Sequence, residues 1–143
     1  MSNETKTDVG SVVSLWRYPV KSMMGEELGT SEVTERGLLG DRVYALMDPS
    51  TGKVASAKNP RKWPDLFNFR ATYTESPRPG VKIPPVRITV PEGTMITGEQ
   101  SDVDQTLSAI LGREVTLVNT RDTHLRGVLA GLGRSRPQRN GYR

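Results

Sequence analysis

The sequence contains no cysteine, which excludes disulfides, thiolate nucleophiles and cysteine-held zinc or iron–sulfur sites together. Its single histidine, His124, cannot make a zinc site alone. Aromatic residues are 6% of the chain and hydrophobic residues 34%, and no apolar run approaches the ~18 residues of a membrane-spanning helix. Met1 to Gly10 is polar rather than basic then apolar, so it does not read as a secretory leader. The expectation is a soluble chain with no membrane segment, placed in the cytoplasm.

What is present is enough for one modest core, since 143 residues make about one domain. Gly and Pro together account for 24 of those 143 residues, which favours many short strands joined by turns. The expected fold is mostly β, a small closed or partly open β-barrel with one or two short helices. The net charge of +4 is concentrated at the end: residues 121 to 143 carry six Arg against one Asp, or +5, leaving about −1 for residues 1 to 120. A folded reader of nucleic acid needs its basic patch on the domain. The expected organisation is a disordered leader over 1–8, the β domain over 9–119, and a basic, mobile tail over 120–143.

Along the chain, Val9 to Trp16 reads as a first strand, β-branched and aromatic at its end. Pro19 lacks an N–H for a sheet ladder, so the chain is expected to leave the sheet there and present Lys21 and Ser22 at the rim. Glu27 to Glu35 suits a half-exposed edge strand. Gly37-Leu38-Leu39-Gly40-Asp41-Arg42 is a glycine-punctuated turn leading into a strand over Arg42 to Met47. Asp48 to Gly52 is a turn, with Pro49 presetting φ and Gly52 supplying a positive one, and Lys53 to Ala57 returns as its hairpin partner. A helical turn capped by Asn59 should bury Trp63 and Leu66. Strands follow at Phe69 to Tyr73, Val86 to Val90, Thr94 to Ile96 and Val115 to Val118. The helix Asp102 to Leu111 is expected to be capped by Ser101 and ended by Gly112, with Val103, Leu107, Ile110 and Leu111 as its apolar face.

Lys21, Ser22 and Arg42 converge on one rim if the strands around them are neighbours. Lysine offers a point charge, arginine a planar fork and serine a hydroxyl, which together suit a phosphate or carboxylate. The alternative is that Lys21 is solvated and that Asp41 pairs with Arg42. Lys58, Arg61 and Lys62 form a second cationic run, read as a solvated face or as further contacts to an anion. The Asp122–His124 pair and the Leu125 to Leu132 stripe are weaker candidates, for proton transfer and for docking on the domain. Trp16, Tyr18, Tyr44 and Trp63 read as core or rim packing.

Three blocks carry a resemblance: Trp16-Arg17-Tyr18-Pro19-Val20-Lys21-Ser22, then Thr34-Glu35-Arg36-Gly37-Leu38-Leu39-Gly40-Asp41-Arg42, then Asp48-Pro49-Ser50-Thr51-Gly52-Lys53 with the following Asn59-Pro60-Arg61-Lys62-Trp63-Pro64. The chain resembles, over residues 9 to 118, the N-terminal β-barrel domain of MOSC proteins, relatives of the molybdenum cofactor sulfurase C-terminal region and the amidoxime-reducing component. The resemblance implies that Lys21, Ser22 and Arg42 contact the phosphate and pterin side of a molybdenum cofactor (molybdopterin). In that family the metal is held by a cysteine of a following MOSC domain. The implied function is therefore the N-terminal, cofactor-contacting part of a molybdenum-dependent oxidoreductase, read as a truncated member that is not catalytic alone and takes a cysteine-bearing MOSC domain as partner. The alternative is a non-catalytic interaction module whose arginine-rich tail binds nucleic acid or an acidic partner.

Overall fold

A computed structural model describes residue 5 and residues 7–122, so the tail stripe, His124 and most of the leader lie outside the described residues. The described residues are mostly β with one α-helix. In chain order the strands are β1 (Leu15–Arg17), β2 (Glu26–Leu28), β3 (Val33–Thr34), β4 (Gly37–Leu38), β5 (Tyr44–Asp48), β6 (Lys53–Val54), β7 (Arg70–Tyr73), β8 (Val86–Thr89), β9 (Met95–Thr97) and β10 (Thr116–Asn119). A 3₁₀ turn spans Leu66–Asn68 and α1 spans Val103–Leu111. No helix among the described residues is long and apolar enough to cross a membrane.

The strands form four antiparallel ladders, β1-β2, β3-β4, β10-β5-β6 and β7-β8-β9. Residues 19–24 link two of these. Val20 bridges Tyr44 of β5 in parallel, and Met24 bridges Arg70 of β7 in parallel. The backbone bonds are Tyr44 N to Pro19 O and Lys21 N to Tyr44 O, both 2.9 Å, with Met24 N to Phe69 O at 2.8 Å and Ala71 N to Met24 O at 2.9 Å. The expectation that the chain leaves the sheet at Pro19 is thus corrected: the proline has no N–H to give, but its carbonyl accepts from β5 and the next residues continue the pairing.

The first strand is also shorter than expected. Val9, Val12 and Val13 are 97%, 82% and 93% exposed, and pairing begins only at Leu15. β-propensity measures fit to a half-buried pleated surface, and no neighbouring surface meets these valines. Alternation was informative where both faces differ: in β8, Val86 and Ile88 are buried while Arg87 and Thr89 are half-buried. Ile88 faces Ala71 of β7 and Ile96 of β9 across the ladder. These join Val20, Met23, Leu46, Phe69 and Leu107 in one core. Trp63 and Leu66 are buried as expected, with Trp63 N bonded to Asn59 O at 2.9 Å.

In α1 the N-cap position is Asp102, with no side-chain cap bond, rather than Ser101. Asp104 does not reach back to the cap; its carboxylate accepts the Leu117 N–H of β10 at 2.9 Å, tying helix to sheet. Gly112 ends the helix in the left-handed region at φ 71°, as expected. Val103 and Leu107 are buried, whereas Ile110 is 39% exposed at the edge of the apolar face.

Candidate functional site

The segment after β1 runs against the segment before β5. Tyr18 N–H donates to Asp41 Oδ1 at 2.8 Å, and Arg42 N–H donates to Tyr18 O at 2.6 Å. Lys21 and Arg42 therefore come together through residues 18–21 rather than through β1, which pairs with β2. Arg17 of the same block turns inward instead. Its guanidinium meets Glu26 at 2.8 Å across the β1–β2 ladder and lies 5.1 Å over the Tyr73 ring. The Tyr73 hydroxyl donates to Gly40 O at 2.6 Å, and burial pushes its pKa upward.

Two turns of similar build present the charges. In the first, Met23 N–H reaches Val20 O at 3.3 Å; in the second, Asp41 N–H reaches Leu38 O at 3.0 Å. Each has a positive φ at its third residue, 84° at Gly40 and 71° at Ser22. A turn of this kind favours glycine there. The chain places serine instead, and Arg42 follows the second turn at φ 50°. Among the described residues these are the two non-glycine positions with a left-handed backbone, a conformation that costs about 1–2 kcal/mol for an L-residue.

Each side chain has a distinct position. The Ser22 Oγ accepts the Ala57 N–H at 3.0 Å, which leaves its own hydrogen free to donate. Lys21 is half-buried, and its ammonium takes part in no ion pair among the described residues. Burial first, then the cations of Lys58 and Arg42, lower its pKa. A neighbouring anion would reverse all of that electrostatic cost. Arg42 keeps 59% of its side chain exposed, pairs with Asp41 Oδ2, and sits 5.3 Å over the Tyr18 ring. The structure thus brings Lys21 and Arg42 within electrostatic reach, while the Ser22 oxygen is turned toward Ala57.

Local sequence reading missed three cations. Lys58, read with a solvated run, acts on Lys21. Arg36 and Arg121 line a cleft of about 510 Å³ with Asp41, Arg42 and Thr120. Arg36 lay inside the 34–42 block, so its sequence distance from Arg42 was a usable signal; Arg121 was assigned to the tail. Lys62 instead joins Arg113 on Asp48, at 3.5 and 3.2 Å. A second cleft of about 490 Å³, lined in part by Tyr44, Val86, Glu99, Asn119 and Arg121, adjoins β5 and β10.

Among the described residues no three His, Asp or Glu side chains lie together as a metal ion would require. The donors at this rim are ammonium, guanidinium, hydroxyl and amide groups, which suit anionic oxygen and not a metal. No curated protein and no solved structure matches the chain. The family model described as the MOSC N-terminal beta barrel domain matches residues 9–124. The three sequence blocks, the two sheets joined through residues 19–24 and that match agree, and the chain belongs to the MOSC N-terminal beta barrel domain family.

Proposed function

We propose that this domain supplies the cationic contacts to the phosphate and pterin side of a molybdenum cofactor, with Lys21, Ser22 and Arg42 as the contacting residues. The observation that carries the reading is the left-handed backbone at Ser22 and Arg42. Strain of this kind persists where surrounding structure over-determines it, and it concentrates at ligand sites. Here it flanks a half-buried lysine that has no counter-ion among the described residues.

The rim fits the phosphate end of the cofactor. Lys21 neutralises charge, Arg42 can present its free N–H groups to two oxygens, and the Ser22 hydroxyl can donate one hydrogen bond. The metal end does not fit this donor set, so the thiolate that would fix the metal and its potential belongs to a cysteine-bearing MOSC domain acting as partner. When bound, the cofactor supplies the redox chemistry; this chain's residues bind, orient and neutralise. The reading takes the ladders joined through residues 19–24 as a small, partly open barrel with the cations on its rim, and places the protein in the cytoplasm.

The test is calorimetric titration of a phosphate-bearing pterin into the parent protein and into Lys21→Ala/Arg42→Ala. Loss of two charge-assisted contacts should weaken binding by about a hundredfold or more. Equal affinity in parent and double variant would remove these residues from the site.

A further inference from the structure

Arg42 stands between two groups of cations. On one side are Lys21 and Lys58, which interact electrostatically with it and with each other. On the other is the cleft lined by Arg36, Arg121, Asp41 and Thr120. Asp41 is the one carboxylate lining this cleft, and its oxygens are already engaged, Oδ1 by the Tyr18 N–H at 2.8 Å and Oδ2 by Arg42. The Asp41 carbonyl accepts from Arg121 Nη2 at 3.4 Å, and Thr120 Oγ1 donates to Arg42 O at 3.2 Å, so the β10 end is held against the rim. Neither Arg36 nor Arg121 is in an ion pair among the described residues.

A single phosphate uses only part of this arrangement. Five cations, Lys21, Lys58, Arg36, Arg42 and Arg121, surround one carboxylate, an excess of about four charges, whereas a phosphate monoester carries at most two negative charges at neutral pH. Resting on the cofactor reading above, we infer that the ligand's anionic end is a diphosphate rather than a single phosphate. One phosphoryl group sits by Lys21 and Lys58, the second enters the Arg36–Arg121 cleft, and Arg42 contacts both. Guanidinium groups suit the second position because their planar fork matches phosphoryl oxygens, and the open cleft leaves room for the remainder of the ligand.

The experiment compares inorganic phosphate with pyrophosphate by calorimetry at low salt, where such contacts are strongest. The parent protein should bind pyrophosphate at least about tenfold more tightly. In Arg36→Gln/Arg121→Gln the preference should vanish while phosphate affinity stays within about twofold; Lys21→Ala should weaken both anions. Arg36→Gln alone alters an exposed side chain without touching the core, and should reduce the preference severalfold. Equal affinities in the parent, or a preference that survives the double substitution, would overturn the inference. Phosphate binding that depends on Lys21 but shows no preference would sink the diphosphate and leave the cofactor reading standing. If neither anion binds, the diphosphate also falls, and the pterin titration decides the cofactor reading separately.

Discussion

Ser22 combines two opposing local effects, a strained backbone and a useful hydroxyl. At φ 71° it bears a conformational cost that glycine would not, yet its Oγ satisfies the Ala57 N–H. Ser22→Ala keeps the strain and orphans the amide, so it should lose about 1–3 kcal/mol of stability. Ser22→Gly also orphans the amide but relieves the strain, and should be the milder of the two in urea melts. At Arg42 the same logic compares alanine with glycine. Relief of about 1–2 kcal/mol of strain exceeds glycine's entropic penalty of roughly 0.5–1 kcal/mol, so Arg42→Gly should be at least as stable as Arg42→Ala. A glycine variant less stable than alanine at both positions would show that the left-handed backbone is not strained there. The residue types of this site were legible in the sequence. Their backbone conformation was not, because nothing in a Lys-Ser or Asp-Arg pair marks a positive φ. Arg121 was missed because its nearness to Arg42 depends on strand pairing across most of the chain.

At the scale of elements, legibility followed the physics of each signal. β8 alternates because one face is core, and α1 stops where Gly112 supplies a left-handed cap. Val9 to Val13 looked like a strand because propensity is local, whereas a strand also needs a neighbour. The β1–β2 pair depends on a contact equally invisible to local reading. A Cβ on Gly25 would lie 2.1 Å from Arg17 O and 2.9 Å from the Tyr18 ring. The strands cannot stay in register Arg17↔Glu26 with that atom present. Gly25→Ala should therefore cost more than about 3 kcal/mol, as overpacking against rigid backbone does. It should also displace Tyr18 from beneath Arg42. A denaturation midpoint close to the parent's would mean that the two strands part without penalty.

At the scale of the molecule, Asp48 ties the end of β5 to segments far away in sequence. Its carboxylate accepts from the Ser50 hydroxyl at 2.6 Å and meets Lys62 and Arg113, whose guanidinium also lies 4.3 Å over the Trp63 ring. The Ser50 hydroxyl above all, then the Ser50 N–H and the Lys62 ammonium, lower its pKa from the ordinary 3.8 to about 2 against the opposing effect of burial. A depressed folded pKa contributes stability that is fully present above pH ~4 and is lost as the pH falls toward about 2. Urea melts should accordingly show Asp48→Asn much weaker than the parent at pH 5 and nearly level with it at pH 2. A gap that stays constant over that range would mean the carboxylate is not held ionised by its neighbours.

The linking segment also governs how the rim comes into being during synthesis. Residues 19–24 gain their partners from Tyr44 and from residues 69–71, and the Arg42 carbonyl is held by Thr120, 78 positions later. Contacts of such separation form only after the intervening chain has closed into loops, and they set the pace of folding. A nascent chain that has emerged only as far as the helix has all of the lysines and most of the arginines of the rim but not their arrangement. The anion-binding surface thus arises with the completed fold, and no ribosome-bound intermediate short of β10 displays it.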